Sequence, residues 1–394
     1  MTILTTRAWV VGGLAFLVGF TAAPPAAAQS SGRVTAVVAG YGTANYGGTF
    51  ADEYAHDFST TISPIFLFGI GEDLLFESEF EFGLEGGETT TALEYAQIDY
   101  LGFERLQFSF GKFLLPFGTF GERTHPSWIN KMPTMPLLYG HAHEGVAEGA
   151  LLPVLADLGF MGRANFPAGR GRHFDLSVYV TQGPMAVEEF GGTEGTTAGP
   201  AHSVTRGILA APGHDDPPTG TVGAEPGLFD IPRVAFGITT TDNNQNKMVG
   251  ARLGFVATPG FEVYVSGFHA MYDEDDFLDL KGGNVSVEYR QRGTEVRGEA
   301  VALHQEFQND DAWDTFKQYG YYFQAARRIG NLEPVVRWSQ LLDGEVDDVV
   351  ARQGREEFSL GVIYWVSPSV PLKIAYSIDP DSDNRTFVQW AFGF

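Results

Sequence analysis

The sequence predicts an all-β fold, a transmembrane antiparallel β-barrel of sixteen strands, with eighteen as the alternative count. Three observations carry this reading. Short segments alternate apolar and polar residues, as in LFESEFEF at 75–82, where Phe76, Phe80 and Phe82 share one face and Glu77, Glu79 and Glu81 the other. That period of two is the mark of a strand, and lipid on one face with water on the other imposes it on a barrel wall. After the first 28 residues no apolar run approaches the ~20 residues of a spanning helix. Closed barrels are the other structure that can satisfy a backbone in lipid. Finally, the last strand sets Val388, Trp390, Phe392 and the terminal Phe394 on one side and Arg385 and Gln389 on the other.

In chain order, Arg7, an apolar stretch at 8–20 and Ala26-Ala27-Ala28 form a secretory signal with cleavage expected after Ala28. Residues 29–394 then form the barrel. Strands are expected near 33–41, 57–69, 73–83, 91–101, 106–112, 156–166, 173–182, 247–257, 261–271, 284–291, 295–305, 318–327, 332–341, 356–366, 371–378 and 386–394. Tight turns at Gly71-Glu72-Asp73, Gly102-Phe103-Glu104, Thr258-Pro259-Gly260, Gly293-Thr294, Gly330-Asn331 and Ser367-Pro368-Ser369 belong on the periplasmic side, where barrel turns are short. The segment 233–240 (RVAFGITT) would make an odd count. Both ends of a bacterial barrel return to the same side, so it is assigned to a long outer loop. A hidden strand near 202–209 would raise the count to eighteen.

Two long loops remain, 114–155 and 183–246. The first carries Pro116, Pro126, Pro133, Pro136, Trp128 and Tyr139, and reads as an ordered segment able to pack inward and narrow a pore. The second is rich in Gly, Thr and Pro and reads as mobile and exposed.

The formal net charge of −24 argues against nucleic acid as a partner. The absence of cysteine excludes disulfides and thiolate metal sites. His141, His143 and Glu144 could ligate zinc, but lack a second motif and read as a solvated loop. No G-x-S-x-G, H-E-x-x-H or P-loop pattern is present, so no enzyme, catalytic residue, metal or cofactor is expected. Acidic runs at 273–276, 343–348 and 379–383 fall in outer loops and read as hydrated, with divalent cations shared with lipopolysaccharide as the alternative.

Alternation places Glu77, Glu79, Glu81 and Asp99 inside on early strands, and Arg252, Arg290, Arg297, Arg337 and Lys373 inside on later ones. An infolded first loop adds Lys112, Arg123 and Lys131. Opposed acidic and basic walls would select polar or charged solutes. The plainer role is paired charges that hydrate and brace the wall, which the row Glu295, Arg297, Glu299 fits. Lys112 follows Gly111, where a bulge would turn it from the lipid side into the pore; otherwise it lies at the rim.

The stretch Gly111-Lys112-Phe113-Leu114-Leu115-Pro116-Phe117-Gly118, then Glu122-Arg123, His125-Pro126 and Asn130-Lys131, resembles the phosphate-selective porin O/P-like family of outer-membrane porins. So do Asp242-Asn243-Asn244-Gln245-Asn246-Lys247 and Gly250-Ala251-Arg252-Leu253-Gly254. The resemblance implies a sixteen-stranded barrel, often a homotrimer, passing small anionic or organic solutes such as phosphate. The chain departs from it in having no lysine cluster in its long loops. The expected function is a water-filled channel in the bacterial outer membrane, among lipid and lipopolysaccharide, for passive diffusion of small polar solutes. A sealed adhesive or structural barrel and a surface hydrolase are the alternatives.

Overall fold

The structure, a computed structural model, describes residues 34–49, 56–85, 87–140, 150–187, 229, 231–237, 245–309, 312–380 and 383–394. Sixteen long strands form the wall: β1 Val34–Thr49, β2 His56–Ile70, β3 Leu74–Glu85, β4 Glu88–Tyr100, β5 Leu106–Leu114, β6 Ala156–Gly169, β7 Arg172–Thr181, β8 Met248–Thr258, β9 Phe261–Met271, β10 Asp279–Gln291, β11 Thr294–Asn309, β12 Ala312–Arg327, β13 Leu332–Leu341, β14 Arg355–Ser367, β15 Val370–Ile378 and β16 Arg385–Gly393. Each pairs antiparallel with its neighbours in sequence, and β16 returns to β1 from Tyr41↔Gly393 to Thr49↔Arg385. The barrel is therefore closed, with no unpaired edge for lipid to meet. Phe394 completes the seam: its N–H donates to the Gly40 carbonyl at 2.9 Å.

Burial is inverted relative to a soluble protein. Phe110, Phe160, Leu253, Val265, Val285 and Trp390 are exposed on the outside. Alternate residues, such as Ser109, Ser177, Arg252, Ser266, Ser286 and Gln389, are buried within. Aromatic pairs mark the short-turn end, with Tyr100 against Phe103, Phe174 against Phe255 and Phe392 against Phe394. That arrangement matches the interfacial girdle of a membrane barrel.

All sixteen expected strands are present in the expected order, and all six expected tight turns lie at one end. Three details differ. β1, β3, β4, β10, β11 and β12 overrun the outer side by up to several residues, so that only two residues separate the outer ends of β3 and β4. Of the described residues 233–237 in the seventeenth candidate, Arg233–Ala235 are extended and pair with Met185–Val187 rather than spanning. This part of the second loop is not exposed: Val234 and Phe236 are buried, and the Phe236 ring packs on Phe268 at 5.9 Å. Apolar Ile231, Val234 and Phe236 gain more against the wall than in water, which the Gly-rich composition around them concealed. The signal at 1–28, the candidate strand at 202–209 and His141, His143 and Glu144 lie outside the described residues.

Candidate functional site

The site is built by the first long loop, which leaves β5 and folds into the lumen. Its apolar side chains drive this. Phe113, Leu115, Phe117, Phe120, Leu138 and Leu151 are buried in one cluster with the wall residues Tyr179, Phe268, Leu303 and Tyr322. Leu115 N–H donates to the Leu155 carbonyl at 2.9 Å, which ties the loop's two ends together. Phe120–Thr124 forms a single π-helical turn closed by His125 N–H on the Phe120 carbonyl at 2.9 Å.

Glu299 on β11 receives the start of that turn. Its carboxylate, 3 % exposed, accepts Phe120 N–H at 2.7 Å, Thr119 Oγ1 at 2.9 Å, the Tyr139 hydroxyl at 2.7 Å, Tyr322 at 3.1 Å and Asn284 Nδ2 at 3.1 Å. Unpaired N–H groups at a helical start favour an anion, which makes a buried carboxylate tolerable here. Gly118 just before it has φ +69°, and a Cβ there would run into the Glu299 carboxylate. Gly118 N–H donates to Ser266 Oγ at 2.9 Å, and its carbonyl accepts from Arg252 at 3.0 Å.

Glu122 forms a second anchor. It bonds Arg252 of β8 and Arg163 of β6, the latter at 2.6 Å, and lies 3.6 Å from Arg123. Burial opposes its ionisation, but the Arg252, Arg163 and Arg123 guanidiniums outweigh that and hold the carboxyl below its usual range. Farther along, Thr134 accepts from Arg337 of β13 through its carbonyl at 2.7 Å and its hydroxyl at 2.5 Å. Lys373 of β15 donates to the Ser127 carbonyl and to Gln389 Oε1 at 2.7 Å. Met132 packs with Val335, Ile363, Trp365 and Ala375. The loop thus crosses from β5 to β15.

The expected site residues separate into distinct groups. Arg123 bonds the Tyr264 hydroxyl at 2.7 Å and Glu262 at 3.3 Å, with its guanidinium over the Tyr264 ring. Lys131 pairs with Glu333 at 3.0 Å and faces Trp365. Arg297 pairs with Glu295 at 2.6 Å, and Arg290, half exposed, with Glu288 at 2.7 Å. Arg337 also meets Glu357 at 3.2 Å. These cations are each matched to a carboxylate, whereas Lys373 is held by neutral oxygens. Lys112 is placed differently. The ladder on both sides of β5 keeps its register through Gly111, whose φ is +127°, so the expected bulge is absent. Glycine absorbs the local twist without an inserted residue. Lys112 keeps its outward parity, with Nζ 2.8 Å from the Leu93 carbonyl.

The acids of the early strands stand apart. Glu77 accepts from Gln97 at 2.7 Å, Glu79 from the Tyr41 hydroxyl at 2.6 Å and Glu81 from Ser63 at 3.5 Å. Asp99, 1 % exposed, accepts from Gln97, Gln107 at 3.0 Å and Ser109 at 2.5 Å. None of the four makes an ion pair among the described residues. The bonds of the loop run instead to β6, β8, β9, β11, β13, β15 and β16. The strands therefore present one wall of largely ion-paired cations under the loop and one wall of carboxyl groups that make no ion pair among the described residues. Sequence reading missed Glu122, Glu299, Glu262, Glu333, Arg163 and Thr134 as loop anchors. Glu299 was visible only as a polar member of an alternating strand, because its partner lies 179 residues away.

No family model matches this chain. No curated protein matches it either. Solved structures do. OmpF of Salmonella typhi, in complex with daunomycin, is 12 % identical with a TM-score of 0.56, over 91 % of this chain and 97 % of that one. An anion-selective porin from Comamonas acidovorans is 11 % identical with a TM-score of 0.55, over 92 % and 100 %. The outer-membrane channel DcaP of Acinetobacter baumannii is 13 % identical with a TM-score of 0.52, over 92 % and 97 %. At these identities the likeness is one of fold: a porin-like barrel.

Proposed function

We propose that the chain is an outer-membrane porin, a water-filled channel for passive diffusion of small polar solutes, with a preference for cations. The observation that carries the preference is the unequal pairing of lumen charge. Arg123, Lys131, Arg297 and Arg337 are each paired with a carboxylate, and Arg163 and Arg252 share Glu122. Glu77, Glu79, Glu81 and Asp99 make no ion pair among the described residues and accept hydrogen bonds from neutral side chains. A ring or wall of one sign sets selectivity in an aqueous pore. The size of the barrel supports conduction, since about 16 strands leave a channel where about 8 are filled by side chains. Phosphate preference, which the family resemblance implies, and the anion selectivity of the Comamonas porin have less support here, because the lumen's expected cations other than Lys373 are already ion-paired. Export through the signal at 1–28 and a homotrimeric state belong to the same proposal.

The test is reversal potential in a planar bilayer under a salt gradient. The wild type should reverse on the cation side, and Glu77→Gln with Asp99→Asn should move it toward zero. A folded barrel that conducts nothing would sink the channel reading. An anion-side reversal would sink the preference alone.

A further inference from the structure

Two of the short turns are built alike. Arg170-Gly171 joins β6 to β7 and Arg292-Gly293 joins β10 to β11, each a two-residue hairpin closed by the pairs Gly169↔Arg172 and Gln291↔Thr294. All four turn residues have positive φ, 56° and 76° in the first turn and 53° and 78° in the second. This is the backbone of a type I′ turn, whose first position suits Asn, Asp or Gly. An arginine there is strained by its Cβ. Strain kept at two separate turns marks the side chain, rather than the turn, as the thing retained.

The arginines form a crescent around the short-turn end. Arg170 and Arg172 stand on the first hairpin, and Arg292, Arg327 and Arg328 on the second and on the adjoining β12–β13 turn. All five are exposed and make no ion pair among the described residues. The second group is held in place. Arg328 N–H donates to the Gly293 carbonyl at 2.7 Å, and the Arg328 guanidinium lies over the Trp365 ring at 4.6 Å. Arg327 bonds the Thr294 hydroxyl. The first hairpin projects freely, with nothing within 4 Å of where a Cβ on Gly169 or Gly171 would stand. Nearby acids have other partners: Asp175 lies 3.4 Å from His173, Glu288 pairs with Arg290 and Glu295 with Arg297. The five charges are therefore uncompensated, on a chain whose net charge is −24. The turns before β6 carry Glu72, Asp73, Glu104 and Arg105 instead, so this end of the barrel is polarised.

Spacing narrows the partner. The hairpins lie four strands apart, roughly 20–25 Å around the wall at ~4.8 Å per strand and ~40° tilt. The turn between them, Thr258-Pro259-Gly260, carries no charge. A single small anion can meet one group but not both. An extended chain rises ~3.3 Å per residue, so about seven residues bridge the hairpins and about ten reach Arg328. Guanidinium forks donate to carboxylates through paired N–H···O bonds. We propose that the crescent docks an extended acidic segment of a soluble protein on the periplasmic side, with carboxylates towards both ends of the segment. The proposal rests on the short turns facing the periplasm, as in the reading above, and not on conduction.

The test is fluorescence anisotropy of labelled decaglutamate and triglutamate, titrated with detergent-purified barrel at about 20 mM salt, where screening is weak. Decaglutamate should bind at least about tenfold more tightly than triglutamate, because reaching the second group becomes an intramolecular step. Arg170→Asn/Arg172→Gln and Arg292→Asn/Arg327→Gln should each remove that advantage. Asparagine suits the first turn position, so both variants should melt no lower than wild type. Lys281→Gln/Lys317→Gln, at the far end of the barrel, should keep the advantage. Equal affinity for the two peptides, or an advantage that survives both arginine variants, overturns the proposal. Displacement of decaglutamate by phosphatidylglycerol micelles at equal anion concentration assigns the crescent to headgroups and overturns it too. Heat-modifiable electrophoretic mobility confirms that each variant is folded. Bilayer conductance of the same samples separates failure here from failure of the channel reading.

Discussion

Glu299 of the barrel wall accepts the backbone N–H of Phe120 at 2.7 Å, across 179 residues of chain. The carboxylate makes no ion pair among the described residues and takes its other bonds from Thr119, Tyr139, Tyr322 and Asn284. Replacing it by Ala leaves those buried donors unpaired, at about 1–3 kcal/mol for each group so stranded. Glu299→Ala should undock the loop without opening the barrel. Trypsin should then cut after Arg123 in folded protein, with wild type resistant under the same conditions. Equal resistance would remove Glu299 from the anchoring role.

The Glu122 anchor predicts an acid limit. Its carboxyl lies below the ordinary range in the fold, against about 4.3 in the unfolded chain. A depressed value contributes stability that is complete above the unfolded value and is lost as pH falls through the folded one. Single-channel current should therefore stay quiet from neutral pH to about pH 5 and flicker only below about pH 4. Glu122→Gln should flicker at neutral pH. A transition at pH 5–7 in wild type that this substitution leaves in place would point to another group.

These anchors explain what the sequence disclosed and what it withheld. Alternation in segments such as 75–82 and 358–364 marks a wall strand because lipid and water impose period two along every strand. Short turns marked by Gly and Pro gave the parity. The loop's inward path was legible in its prolines and aromatics, but its partners were not, since a loop-to-wall bond leaves no periodic trace. Glu122 and Arg123 are adjacent in sequence, yet one binds β6 and β8 while the other reaches Glu262 of β9. Lys112 shows the converse: local rules suggested a bulge at Gly111, and the ladder to β4 and β6 overrode them.

That difference separates two charge reversals. Arg123, stacked on Tyr264, is a third exposed on the loop, so Arg123→Glu should shift the reversal potential farther toward cations. Lys112→Glu changes a side chain of outward parity bonded to Leu93 and should leave selectivity alone. A shift from Lys112→Glu as large as that from Arg123→Glu would return Lys112 to the lumen.

Gly118 and Glu299 should be energetically coupled. Gly118→Ala incurs a left-handed backbone at φ +69°, roughly 1–2 kcal/mol for a residue with Cβ. It also drives that Cβ into the Glu299 carboxylate. Only the second cost disappears when Glu299 is already Ala. Loop opening, read as the tryptic rate at Arg123, should therefore be less than additive in the double variant, with a coupling of about 0.5–3 kcal/mol. Strict additivity would mean that the two residues do not meet. The backbone strain alone would then account for the glycine, and the close approach of loop to wall would have to be abandoned.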